Sequence, residues 1–292
     1  MQRLTRDQWL SHQQAHHRVI DELTSEHLHR RSRGEKHPVM DFLFEYYGFT
    51  PGKMRRWHPG AGVLLQGCNE RENWPLYQTS QEGAQLDLAA YRSKRKGALA
   101  FIGQLLANID SRPAQFSCFG LHEWAMVYRQ GEHRHPLPLR LGQAGTDAVV
   151  DAHELRCTHA DAYRFFTAAA APKNLGRPTY HDQLETEQPG CIHAGSMDLY
   201  RWAFKLSPGI SSDLLVECFQ HAIKARELDM ASSPYDTTSL GLPNIAIETP
   251  EGKAEHVSRQ RALADRAREL RTKLRLEIGV LSGSGEHLSE IC

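Results

Sequence analysis

Cys191-Ile-His-Ala-Gly-Ser-Met-Asp-Leu-Tyr-Arg-Trp-Ala203 and, past a Pro-Gly break, Ser212-Asp-Leu-Leu-Val-Glu-Cys-Phe-Gln-His-Ala222 set the fold class. Their apolar residues recur at helical spacing, which predicts one helix from His193 to Lys205 and a second from Ser211 or Ser212 to about Asp229. Towards the amino end, Thr5 is placed to cap a long helix to about Arg31. Pro38 opens a second, Val39 to Tyr47, closed by Gly48. Helical spacing continues from Gln85 to Asn108 and from Phe116 to Tyr128, and Thr146 caps a short helix. A charged helix covers residues 253–277. Extended pieces are few: Gly62 to Gln66, residues 154–158, Ile245 to Glu248, and the run 134–141, where Pro136 and Pro138 forbid a helix. The expected fold is mainly α, a single helical-bundle-like domain over residues 1–278 with a few short extended segments. Residues 279–292, containing Ser282-Gly-Ser-Gly, read as a flexible tail.

The 292 residues carry 35 basic and 35 acidic side chains, so formal net charge is zero. That removes the global basic excess of a nucleic-acid binder and leaves room for a local basic patch. Mean hydropathy is −0.54. No apolar run nears the ~20 residues of a membrane span, and the start lacks a secretory stretch, so a cytoplasmic protein without a membrane partner is expected. The six cysteines show no CxxC spacing, which speaks for reduced, buried thiols rather than a disulfide framework or thiolate zinc site. Seventeen histidines are the compositional oddity. Phosphate-cradling glycine loops, the zincin HExxH, the esterase GxSxG and the zinc-deaminase pattern are all absent.

What remains is a set of polar residues inside apolar helices, where an unpaired charge is expensive. His122 and Glu123 lie beside Trp124 and Tyr128 in Phe119-Gly-Leu-His-Glu-Trp-Ala-Met-Val-Tyr-Arg129. Asp198 stands one turn from Trp202, beside Tyr200, with Arg201 as an alternative structural partner. Glu217 and His221 share a helix face at i,i+4; with His193 they are the metal-ligand candidates. The loop Arg55-Arg56-Trp57-His58 combines cations with an aromatic ring, as phosphate contact and base stacking require. His159, Asp161 and Arg164 stand among further aromatic rings. Solvated loops, surface ion pairs and core hydrogen bonds are the plainer reading of each.

Three motifs, the one at residues 119–129, His159-Ala-Asp-Ala-Tyr-Arg-Phe-Phe-Thr167 and Met197-Asp-Leu-Tyr-Arg-Trp-Ala203, resemble the bacterial family labelled 3-methyladenine DNA glycosylase. The similarity runs from about residue 9 to residue 275 and includes Gly34-Glu-Lys-His-Pro-Val39 and Ser233-Pro-Tyr-Asp236. It implies a DNA-repair hydrolase that cleaves the N-glycosidic bond of alkylated purines without a cofactor, and it assigns no catalytic position. In that reading Asp198 or Glu123, with His122, is the catalytic group. Trp124, Tyr128, Tyr200 and Trp202 are aromatic walls, and Arg55, Arg56 and Arg164 hold DNA. The residues also admit a metal-dependent helical enzyme of the non-haem iron oxygenase kind, acting on a small molecule. Iron, manganese or zinc would be held from the pool Glu123, His133, His193, Glu217 and His221. A non-enzymatic helical binding domain is the third reading. Glu123 and Asp198 are expected to face one cleft, bordered by the 55–58 loop.

Overall fold

The computed structural model describes residues 1–133 and 135–283; Arg134, which begins the expected extended run, and residues 284–292 of the expected tail lie outside the described residues. The chain opens with strand β1 (Gln2–Leu4) and helix α1 (Arg6–Ser32), whose amino end Thr5 and Gln8 close reciprocally as a capping box. After α2 (Pro51–Met54) come β2 (Val63–Gln66), β3 (Tyr77–Ser80) and β4 (Gly83–Leu86). Helices α3 (Leu88–Ser111), α4 (Leu121–Ala125), α5 (Gly142–Asp151), α6 (Ala160–Tyr163) and α7 (Gln183–Thr186) follow. Last come α8 (Asp198–Leu206), α9 (Ser212–Ala231) and α10 (Pro250–Ser282).

The expected mainly helical class is what the chain adopts, with a small sheet attached. The strands run in the order β1-β2-β4-β3; β1 is parallel to β2, and β4 is antiparallel to both of its neighbours. Gly83 permits this packing, because a Cβ there would lie 1.9 Å from the Leu65 carbonyl oxygen. Of these strands only β2 is legible in the hydropathy pattern. The hairpin of β3 and β4 is mostly polar and escapes it.

One contiguous apolar core draws on residues from Ile20 to Leu281. Its frame is α9, packed against α8 and α10, with α10 also against α3. Ser211 caps α9 through its hydroxyl, and Leu214, Leu215, Cys218, Phe219, Ala222 and Ala225 are buried along it. On α10, Thr249 is the cap, and Ala267, Leu270, Leu274, Ile278 and Leu281 form the apolar stripe. That stripe carries the helix to Ser282, with Gly283 in the left-handed conformation as its C-cap, so residues 279–282 of the expected tail are helical.

Five expected elements differ. Residues Phe42–Tyr46 form a π-helical turn instead of a regular helix, pointing Leu43 and Phe44 into the core. The segment 116–128 is helical only over Leu121–Ala125, because Phe119 and Gly120 have positive φ (50° and 76°), which stops a helix at that point. Thr146 lies inside α5 and bonds the Gly142 carbonyl instead of capping the helix. The 154–158 strand is reduced to a bridge between Leu155 and Asn174. The helix expected from His193 begins as a π-helical segment, Ile192–Met197, before α8. Among the described residues no helix is long and apolar enough to cross a membrane.

Candidate metal centre

His122 from α4, His193 from the π-helical segment and Asp229 near the end of α9 bring their ligand atoms within 4.8 Å of one another; so do His159, Glu187 and Asp198. Each donor sits where an element starts or stops. His159 is the N-cap of α6 and accepts the Ala162 amide through Nδ1 at 3.2 Å. Glu187 ends α7, Asp198 opens α8, and His193 belongs to a π-helical segment of the kind found at functional sites. The two groups are adjacent: the rings of His159 and His193 stack with centroids 5.0 Å apart, and those of His122 and His193 meet edge-on at 4.8 Å.

The carboxylates lie behind the histidines. His122 Nε2 donates to Asp229 Oδ1 at 2.8 Å, and His159 Nε2 to Asp198 Oδ2 at 3.0 Å. The Tyr47 hydroxyl donates to Asp198 Oδ1 at 2.9 Å. Arg226 donates to both Glu123 and Asp229. Asp198, Asp229 and Glu187 are fully buried. In front of the histidines is a small cavity bordered by His122, His159 and His193 and by the thiols of Cys118, Cys157 and Cys191.

These arrangements set the charges. Burial opposes the imidazolium at His122 and His159, yet Asp229 and Asp198 outweigh it and raise both pKa values. His193 is driven well below its ordinary value by burial and by those two histidines, so it is a neutral imidazole. Burial also opposes ionisation of Asp198 and Asp229, but His159 and the His122–Arg226 pair keep both low. Glu187 differs. Burial pushes it up to about 7, against the partial opposition of His159. Its Oε1 takes the Gln183 amide at 2.8 Å, while its Oε2 is buried with no hydrogen-bond partner.

The expected site residues divide sharply. Asp198, His122, His159 and His193 belong to the centre. Glu123 lies behind it on Arg226, so Glu123 and Asp198 share a buried network without facing a cleft: neither borders the cavity. Asp198 is paired with His159 and Tyr47, and Arg201 binds Asp161 instead, because Asp161 also takes Tyr180 and Arg164 into one cluster at the rim. Glu217 belongs to neither triad; Arg266 and Lys273 hold its carboxylate, while His221 is buried and neutral on the same helix. His133 bonds Gln143 and is likewise in neither triad.

The aromatic candidates are core pieces. Trp124 donates to the Ser232 carbonyl, Tyr200 packs on Phe49 and Phe219, and Trp202 and Tyr128 are buried. The 55–58 loop does not border the cavity. Arg55 pairs with Asp21, Arg56 is exposed, Trp57 fills the core under the sheet, and His58 bonds Tyr77. Sequence reasoning missed Glu187 and Asp229 as ligand candidates, and the thiols. The signal available for the thiols was the repeated spacing Cys157-x-His159 and Cys191-x-His193.

No protein-family model matches the chain, and no curated protein or solved structure matches it.

Proposed function

We propose that this protein is a metal-dependent enzyme of the non-haem iron class, with the buried histidine–carboxylate cluster as its centre and a small molecule as substrate. The observation that carries this reading is Glu187, a fully buried carboxylate whose Oε2 has no partner, beside His159 and Asp198. Such an orphan costs several kcal/mol in an apolar interior and is relieved by a cation. His122, His193 and Asp229 add a two-histidine, one-carboxylate set, the donor combination suited to iron(II) or manganese(II). When bound, such an ion supplies redox capacity and open coordination positions.

The chain's own groups fit that role. His193 is already neutral, as a ligand imidazole must be, while His122 and His159, whose pKa values are raised, would each release a proton on binding an ion. Tyr47 on Asp198 and Arg226 on Asp229 orient the two carboxylates from behind, which is how outer partners tune ligands, while His159 and the His122–Arg226 pair favour their ionised forms. The cavity in front is small, but Arg156, Cys157 and Thr158 at its border also line a larger pocket reaching Arg177 and Asp182, which is the space for substrate. DNA base excision, which the family resemblance implies, asks for a carboxylate aimed at a flipped base; Asp198 and Glu123 both sit behind other side chains.

Elemental analysis of the purified protein tests the reading. Stoichiometric iron or manganese, lost in Glu187→Gln and in His193→Ala while both variants stay folded, is expected. Metal-free protein that takes up no iron(II) or manganese(II) on titration, or that releases methylated base from alkylated DNA without metal, overturns it.

A further inference from the structure

Another pocket lies between α9 and α10, with a volume of about 410 Å³. It shares no lining residue with the cavity in front of the histidines or with the larger pocket beside that cavity. Its size is typical of small-molecule sites. Leu228 and Ala231 from α9, Leu263 from α10 and Leu242 from the connection between them supply an apolar wall. His221 borders the same pocket. Its side chain is only 4% exposed, its Nε2 is buried, and neither ring nitrogen makes a hydrogen bond among the described residues. A buried imidazole without partners is costly, and a bound group that pairs with it relieves that cost.

Charge decides which group that is. Lys224, Arg259 and Arg266 border the pocket, with Glu227 as the carboxylate among them. Arg259 pairs with Glu255, and Arg266 with Glu217 and Glu269, whereas Lys224 is exposed and has no ion-pair partner among the described residues. Lys224 follows His221 by three residues, so both stand on one face of α9. Burial, then the charges of Arg266, Lys224 and Arg271, lower the His221 pKa to about 4. Near neutral pH the ring is therefore uncharged, offers one N–H, and sits in a positive field.

We propose that this pocket binds a small amphipathic carboxylate, its aliphatic tail on Leu228, Leu242 and Leu263 and its head at Lys224 and His221. The carboxylate accepts from the ammonium and from the imidazole N–H, and the tail removes apolar wall from water. A cationic amphiphile would meet three like charges at the border, and an uncharged one would leave Lys224 without a partner. The site is independent of any metal at the histidine–carboxylate centre.

Calorimetric titration of the full chain with sodium octanoate tests it, with octan-1-ol and octylamine as matched probes. One octanoate per chain is expected, bound roughly tenfold or more tighter than either analogue. Lys224→Glu, at an exposed position, and His221→Leu should each weaken octanoate by roughly tenfold while keeping the wild-type circular dichroism spectrum. A photoreactive diazirine analogue of octanoate, mapped by mass spectrometry, locates the site in unmutated protein, and labelling is expected on α9 and α10 around the pocket. His193→Ala should bind octanoate as wild type does, which separates this site from the metal centre. No octanoate binding, equal affinity for octan-1-ol, labelling elsewhere, or unchanged affinity in both folded variants overturns the proposal.

Discussion

The imidazoles of His159 and His193 stack at 5.0 Å with their planes 10° apart, although Asp198 serves one and the Asp229 side of the centre serves the other. That contact joins the two histidine–carboxylate groups and makes each sensitive to the charge of the other. Burial, and then the charges of His122 and His159, disfavour protonation of His193, which is why it is neutral.

Glu187→Gln should separate stability from metal binding. In chelator-treated protein near pH 8 the substitution removes a buried charge without a full set of partners, so Tm should rise, by about 1–2 kcal/mol in stability terms. With iron(II) added, wild type should gain stability and the variant should not. A fall in Tm of the metal-free variant would show that the carboxylate is already well paired.

Arg226 is buried between Glu123 and Asp229 and lies over the Phe42 ring. Arg226→Met should cost about 3–5 kcal/mol, because two buried carboxylates lose their counter-charge. Combining it with Glu123→Leu should recover part of the loss, as urea melts would register. Equal or additive destabilisation in the double variant would mean the three groups are not one network.

Acid stability should depend on His221. Burial, then Arg266 and Lys224, lower its pKa to about 4 from 6.5. Between those values the unfolded chain binds the proton and the folded chain does not, so stability falls as pH drops through that window, by up to ~3 kcal/mol. His58 (about 3) and His256 (about 4) act in the same direction. Chemical denaturation of His221→Gln should therefore show a shallower loss from pH 6.5 to 4 than wild type. Parallel curves would contradict the assignment.

Gly195→Ala strikes the π-helical segment that carries His193. A Cβ at Gly195 would sit 2.3 Å from the Pro189 carbonyl oxygen, a backbone atom that cannot swing aside. A loss of about 1–3 kcal/mol is expected, with weaker metal retention than in Gly97→Ala, where the Cβ would meet open space. Isothermal titration with iron(II) on both variants checks it.

Arg55→Ala with Arg56→Ala should leave Tm nearly unchanged, within the ~0.5 kcal/mol typical of surface sites. The Arg55–Asp21 pair is exposed and Arg56 is solvated. The same variant measures whether the loop binds DNA, through the salt dependence of duplex affinity.

The helical frame was legible because it is local. Thr5 and Ser211 mark helix starts by their own chemistry, and the 3–4 spacing on α9 and α10 is visible in any window of the chain. The breaks at Phe119 and Gly120 were hidden, since Phe119 adopts positive φ only because tertiary packing holds it there. The polar β3–β4 hairpin was hidden for the opposite reason: strand pairing carries it, and its outer strand buries little.

For the centre, residue type alone identified Asp198, His122, His159 and His193, because each stands in an apolar setting where an ionisable group is costly. Which groups meet was a different matter. Glu217 and His221 share a helix face by sequence, yet the approach of α10 gives Glu217 to Arg266 and Lys273. Glu187 and Asp229 looked ordinary until α7 brought Glu187 to His159 and α9 brought Asp229 to His122 and His193, and the three thiols, lacking a CxxC spacing, share a border only at the cavity. Local backbone chemistry and hydrophobic period act over a few residues, so the sequence by itself determined helices, caps and the list of costly side chains. The histidine–carboxylate groups join residues up to 107 positions apart, as His122 and Asp229 are, and only the packing of the helices decided which of them meet.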